Sequence, residues 1–245
     1  MRRRRGLFLL FLLVCILAPT GAFAQGSEPK LWGFQGAFTP TWKAHDQLQK
    51  NQLFLEEDWP LLEGSEFFVG VARGKAHGAY WGVSYVRKPI KDAQRSTSET
   101  NQFCFGPNNA SCNTFTTSST DTMSGVYLDG VEWHYFIPFV KFANHVQIGL
   151  TGGAGAGFPK GTVHSTSTST NTFTTPGRPP QVDTQTDSED QTAADYMYKV
   201  TWLARVEATA SFNIGPGLRA TVSGGMNAPS AFAFRVGVVY LIGGQ

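Results

Sequence analysis

The stretch YMYKVTWLARVEATASFNI, residues 196–214, decides the fold. Read in steps of two, one face carries Tyr196, Tyr198, Val200, Trp202, Ala204, Val206, Ala208, Ala210, Phe212 and Ile214. The other carries Met197, Lys199, Thr201, Leu203, Arg205, Glu207, Thr209, Ser211 and Asn213. Alternation held for this long is a β-strand, because successive side chains of extended backbone leave on opposite faces. An ordinary strand is about 5 to 6 residues long, so this one is several times too long for a common soluble sheet. Its uniform apolar face wants hydrocarbon, while Arg205 and Glu207 opposite want water or ion pairs. That is the pattern of a transmembrane β-barrel, in which each crossing takes about 9–11 tilted residues and lipid-facing and lumen-facing positions alternate.

The start of the chain agrees with export. Arg2 to Arg5 form a positive n-region, residues 7–17 an apolar h-region, and Ala22-Phe23-Ala24 a small-x-small cleavage site. Residues 1–24 therefore read as a signal peptide, with residues 25–245 as the mature outer-membrane β-barrel domain. Removing the signal takes four of the 20 Lys+Arg and none of the 18 Asp+Glu, which leaves the mature chain net acidic. Nucleic-acid binding loses its electrostatic support. Charged residues are only 16% of the chain against about 25% in soluble domains, yet no later segment is apolar enough for a helical span. Backbone polar groups are satisfied in lipid only by helices or closed barrels, and the barrel is what remains.

Further strands follow the same period. Residues 31–42 alternate with Trp32, Phe34, Phe38 and Trp42 on one face. Residues 65–72 place Phe67, Val69 and Val71 outward and Glu66 inward, and residues 79–87 place Trp81, Val83 and Tyr85 outward. Residues 123–136 break phase, since Val126 and Leu128 are out of step with Val131, Trp133 and Tyr135. A bulge at Gly130 is the expected repair, and it sends Asp129, Glu132 and His134 inward together. Residues 146–158, with the glycine-rich run 152–157, form a strand where interior side chains approach closely. Residues 218–226 and the final strand, with Phe232 to Ile242 outward and Arg235 inward, complete eight. The predicted long loops, about 43–63, 88–122 and 159–195, all fall on one side of the membrane and the short turns on the other, as outer-membrane barrels sort them. The expected fold is an all-β, eight-stranded antiparallel up-and-down transmembrane barrel with short periplasmic turns and long extracellular loops.

With its strands placed, the chain resembles the small eight-stranded outer-membrane β-barrel family, the class of surface-antigen and adhesin-like barrel domains. Its sharpest match is terminal: Arg235-x-Gly237-x-x-Tyr240-x-Ile242 fits the family's assembly signal, which implies the barrel-assembly machinery as a partner. The resemblance further implies insertion in outer-membrane lipid of a diderm bacterium. It also implies a non-enzymatic structural or surface-interaction role carried by the extracellular loops, with an extracellular ligand as the other partner. Some family members are lipid-modifying enzymes, which keeps that reading as the least favoured.

Inward charges collect at Glu66, Asp129, Glu132, Lys199, Arg205, Glu207, Arg219 and Arg235. An eight-stranded bore is just wide enough for side chains to fill it, so these groups are expected to pair. An ion-pair plug is the plain reading, and a narrow porin-like path through the same charges is the alternative. Cys104 and Cys112, the only cysteines left after processing, are expected to form a disulfide. His164-Ser165, or His134 with Glu132, have residue types suited to catalysis without any supporting spacing; catalytic, metal-binding and cofactor-binding residues are therefore expected to be absent.

Overall fold

The computed structural model describes residues 30–50, 59–106, 111–142 and 145–242. The predicted signal peptide lies outside them, as do residues 51–58 of the first predicted loop. Ten strands run in chain order: β1 (Leu31–Ala44), β2 (Glu63–Gly74), β3 (Tyr80–Pro89), β4 (Ala93–Phe105), β5 (Ser111–Phe142), β6 (Val146–Thr174), β7 (Gln181–Thr192), β8 (Thr201–Gly215), β9 (Leu218–Ala228) and β10 (Ser230–Leu241). All pairings are antiparallel. Eight strands close a ring in the order β1, β2, β3, β5, β6, β8, β9, β10, with β10 returning to β1 through the register Phe34↔Tyr240 to Phe38↔Val236. Closure leaves no unpaired sheet edge in the wall, which is the condition for crossing lipid with strands.

The apolar face of every wall strand points outward. Phe34, Val69, Val131, Val206, Phe234 and Val238 are all exposed and belong to a continuous belt, while the alternate positions Gln35, Glu66, Glu132, Arg205, Glu207 and Arg235 are buried inside. Tight turns at 75–79 and 216–217, the start of β1 and the end of β10 gather at one end of the barrel, here the turn end.

Three parity expectations fail, each for a local reason. β1 slips register between Thr39 and Trp42, around Pro40, and the extra residue turns Trp42 inward, where it is 1% exposed and its indole N–H donates to the Ser65 carbonyl. No bulge occurs at Gly130, because β5 pairs without interruption from Tyr127 to Pro138. Its irregularities lie between Pro138 and Val140 and, nearer the expected site, between Ser124 and Tyr127, where Gly125 sits at φ 64°, a left-handed backbone that other residues adopt only with strain. Val126 and Leu128 are consequently interior, and Asp129 is on the outer surface, where it accepts from the Tyr85 hydroxyl and lies 4.0 Å from Arg87. The stretch 196–214 also begins its strand late. Ala193–Tyr196 is a helical turn, β8 starts at Thr201, and Lys199 is exposed before it.

The largest departure is above the barrel. The segments expected as loops 88–122 and 159–195 are mostly strand: β5 and β6 run 32 and 29 residues without leaving the sheet, far beyond a membrane crossing. Their upper halves pair with each other from Cys112↔Thr174 to Ser124↔Thr162, and β4 and β7 add to either side. A four-stranded sheet, β4-β5-β6-β7, therefore stands on the barrel as an extension of its wall. Cys104 and Cys112 face each other across β4 and β5 near its tip and are joined by a disulfide. The remaining predicted loop, 43–63, contains a short helix, Asp46–Leu48.

Two outcomes follow from this arrangement. Ala208→Arg places a charge on the lipid face in mid-strand and should cost about 2–4 kcal/mol, whereas Thr209→Ser on the lumen face should change little, as read by urea unfolding of vesicle-refolded protein. Reducing Cys104–Cys112 should leave the heat-modifiable gel migration of the barrel unchanged, because a bridge spanning 8 positions removes only a few kcal/mol of unfolded-state entropy and joins strands outside the ring.

Candidate functional site

The lumen is layered. At the turn end Ala72, Tyr80, Phe136, Val239 and Leu241 form an apolar floor. At the sheet end Trp42, Leu62, Ile90, Met123, Leu128 and Met197 belong to a larger apolar lid. Between them lies a chain of charges in alternating sign. Lys88 Nζ is 3.1 Å from Glu66 Oε1, Arg235 Nη2 is 3.1 Å from Glu66 Oε2, and Arg235 Nη1 is 2.8 Å from Glu207 Oε2. Arg205 Nη1 lies 3.8 Å from Glu207 Oε2, and its Nε lies 2.7 Å from Glu132 Oε1, an ion contact rather than an aligned hydrogen bond.

Three cations and three carboxylates thus neutralise one another across β2, β3, β5, β8 and β10. All six side chains are at most 5% exposed. Neutral donors fill in around them. Ser223 Oγ donates to Glu207 Oε2 at 3.0 Å, Asn227 Nδ2 donates to Glu66 Oε2 at 2.9 Å, and Asn227 Oδ1 accepts from Lys88 Nζ at 3.3 Å. The guanidinium groups of Arg205 and Arg235 also lie over the Phe68 ring, at 4.7 and 4.0 Å from its centre, and Lys88 Nζ lies 5.7 Å from the Trp42 ring centre.

The small-residue run on β6 has a specific use here. A Cβ at Gly153 would come within 2.7 Å of Glu132 Oε1 and 3.0 Å of Arg205 Nε, so glycine is what lets that pair sit against the wall. Gly237 of the terminal motif is similarly confined, since a Cβ there would meet Ala37 Cβ at 2.7 Å. In the same motif Tyr240 and Ile242 face outward and Arg235 inward.

Of the residues expected in the network, Glu66, Glu132, Arg205, Glu207 and Arg235 are brought together. Asp129 and Lys199 are outside the lumen for the parity reasons above. Arg219 is inside and fully buried but joins the floor: it donates to the carbonyls of Gly78 and Lys75 in the β2–β3 turn and lies 5.7 Å from the Tyr80 ring centre. Lys88 went unforeseen, although it continues the inward phase of Ser84 and Val86 and needed β3 to extend one residue past Arg87. Neither proposed histidine arrangement forms. His134 Nε2 meets Gln35 Oε1 at 2.8 Å, and Gln35 Nε2 in turn donates to Ser84 Oγ. His164 and Ser165 point to opposite faces of the projecting sheet, the first 2.7 Å from Asp190 Oδ1 and the second donating to Asp121 Oδ1 at 2.7 Å.

A cavity of about 40 Å³ opens beside the charge chain, lined on one side by polar groups, among them Gln35, Ser84, Arg205 and Arg235, and on the other by apolar ones, among them Phe68 and Val239. It is large enough for water, but the floor and lid close the bore on either side.

Where the sheet meets the lid, Arg95 Nη2 is 2.6 Å from Asp121 Oδ2 and lies over the Trp59 ring at 5.2 Å. Burial pushes the Asp121 carboxyl up, and hydrogen bonds from Ser165 and Arg95 more than undo it, so the group stays below its ordinary value. The sheet is thereby anchored by an ionised carboxylate shared among β4, β5 and β6.

The class that this geometry defines is the eight-stranded antiparallel transmembrane β-barrel with a closed, charge-filled lumen. No family model and no curated protein matches the chain. Among solved structures it is similar to Ail, the attachment invasion locus protein of Yersinia pestis, determined in complex with the heparin analogue sucrose octasulfate. That similarity is 12% in identity with a TM-score of 0.29, over 87% of this chain and 99% of that one. It is also similar to the translocator domain of the autotransporter NalP from Neisseria meningitidis, at 10% identity and a TM-score of 0.28, over 96% of this chain and 95% of that one.

Removing Arg235 would leave Glu66 and Glu207 short of their shared cation. Arg235→Ala should lower stability by about 3–5 kcal/mol, read as the urea midpoint in lipid vesicles. Adding Glu207→Gln should restore part of that loss, whereas adding Lys88→Ala should deepen it.

Proposed function

We propose that this protein is a non-enzymatic barrel of a diderm outer membrane, exported by its signal peptide, whose work is done by the projecting sheet in contact with extracellular partners. One observation carries the reading. β5 and β6 continue from the wall into a four-stranded sheet without a break, so a rigid surface is held outside while the lumen is packed. On this reading the turn end is periplasmic and the sheet end extracellular, which matches the usual sorting of short turns and long excursions. Outer-membrane lipid covers the apolar belt, and the barrel-assembly machinery reads the terminal strand.

A second reading, a narrow passive channel, draws on the cavity beside the charge chain and on the mobility that ion pairs would need in order to open a water file. The apolar floor and lid favour the plug over this channel. Both readings meet in one pair of measurements. The full chain should give no stepwise conductance in planar bilayers. Cells displaying a form in which residues 97–119 and 167–187 are each replaced by an Asn-Gly turn should lose attachment to immobilised extracellular-matrix proteins while the barrel keeps its gel migration. Steady conductance from the full chain, with attachment unaffected by the shortened hairpins, would replace the surface reading with the channel.

A further inference from the structure

The projecting sheet has two unlike faces. One continues the outer wall and is mainly a plane of hydroxyls, in which Ser96 pairs with Thr120, Thr100 with Thr116, Thr168 with Thr186 and Thr170 with Thr184 at 3.1–3.4 Å, with the His164–Asp190 pair near its base. The other is the face of Asp121 and Met123, continuous with the lumen side. Toward the tip it carries Phe103, Phe105, Phe115 and Phe173. The register sets Phe103 and Phe173 on either side of Asn113, and the rings of Phe105 and Phe173 stack at 5.8 Å. Phe103, Phe105 and Phe115 are 68%, 51% and 42% exposed.

These aromatics are not part of the lipid belt. Phe115 lies twelve residues beyond Tyr127, where the wall pairing of β5 resumes above its bulge, or ~40 Å along the strand at about 3.3 Å per residue. A clustered apolar patch so far from hydrocarbon marks a contact surface.

Charge on the same face selects what covers it. Asp183, Asp187 and Glu189 of β7 lie opposite Asn171, Ser167 and Ser165 of β6, and Glu99 of β4 lies opposite Thr117 of β5. Among the described residues of the four strands, Arg95 is the one base on this face, and Asp121 already pairs with it. Two copies meeting face to face would oppose carboxylate with carboxylate, and an anionic bilayer would be repelled in the same way.

We propose that this face docks a cationic amphipathic polypeptide segment, with its apolar side chains on the phenylalanines and its Lys or Arg side chains against Asp183, Asp187, Glu189 and Glu99. The proposal rests on the surface-contact reading above and names the partner class for it. Hydrophobic contact supplies the attraction, and the carboxylates discriminate by sign and raise the rate of encounter.

The test uses the full chain in zwitterionic lipid nanodiscs, titrated with an eighteen-residue Leu/Lys peptide of helical periodicity and, separately, with its Leu/Glu counterpart. Binding to empty discs is subtracted. Saturable binding of the Leu/Lys peptide alone is expected, weakened at least tenfold by Phe105→Ser with Phe115→Ser, weakened similarly by Asp183→Asn with Asp187→Asn, and reduced by salt. All four substitutions lie on exposed strand positions outside the ring, and unchanged gel migration of each variant establishes its fold. Equal binding by the wild type and both variants, or equal binding of the two peptides, overturns the proposal, as does capture of anionic vesicles in place of the peptide. The attachment assay on the same double variants separates the two levels. If the shortened hairpins lose attachment and the double variants keep it, the docking proposal fails and the surface reading stands. If the shortened hairpins keep attachment, the surface reading itself fails.

Discussion

An eight-stranded barrel has too little room inside to hydrate a charge fully, and this one buries six that pair. Taking an ion from water into a protein interior costs several kcal/mol after relaxation, so each guanidinium and carboxylate must find its counterion across the bore. The alternating order from Lys88 through Glu66, Arg235, Glu207 and Arg205 to Glu132 is the solution. Each internal member of the chain is shared by two neighbours, and the ends fall on β3 and β5, adjacent strands of the wall. Much else is subordinate to it: glycine at 153 makes room for Arg205 and Glu132, Phe68 lies against two of the guanidinium groups, and the apolar floor and lid hold bulk water away.

Period-two reading recovered the wall because lipid and lumen impose opposite demands on alternate residues, as in Trp202 to Ile214 or Phe232 to Ile242. It failed wherever one residue shifted parity. Pro40 cannot donate to a ladder, and the slip beside it turned Trp42 inward. In β5 the alternation of Val126 and Leu128 suggested a bulge at Gly130, although apolar residues are just as suitable inside a lid as outside a wall; Asp129 was misplaced as a result. Lys199 was misplaced by extending an ideal strand through a helical turn. The charge chain was legible in its residue types and facing for five of its members. Its pairings depend on the heights set by neighbouring registers, which alternation alone does not encode.

The projecting sheet was illegible for a different reason. Its two faces are both largely polar, so the hydrophobic alternation that marks a half-buried strand is missing. Thr166, Thr168, Thr170 and Thr172 nevertheless repeat at every second position, and β-branched threonine favours extended backbone. Cross-strand hydroxyl pairs contribute roughly 0.2–1 kcal/mol each relative to alanine and take over part of the role that a core plays elsewhere. Carboxylates along β7, among them Asp187, Glu189 and Asp190, lie on an exposed edge, where like charge discourages pairing with another copy.

Because β5 and β6 each run as one strand from the sheet tip to the turn end, paired throughout except at the bulges between Ser124 and Tyr127 and between Pro138 and Val140, the molecule has a defined mechanical axis. A pull on the tip directed along these strands meets interstrand hydrogen bonds that lie perpendicular to it, so many are strained together in shear and none is first in line to peel. The load passes the Arg95–Asp121 clamp and then enters the wall beside Glu132, where it is divided among strands tied through the lumen. A force across the sheet is different: it opens the outer strands β4 and β7 one bond at a time, and near the tip the Cys104–Cys112 bridge is the covalent stop on the β4 side. The appendage is therefore stiff to tension along β5 and β6 and compliant to force across them.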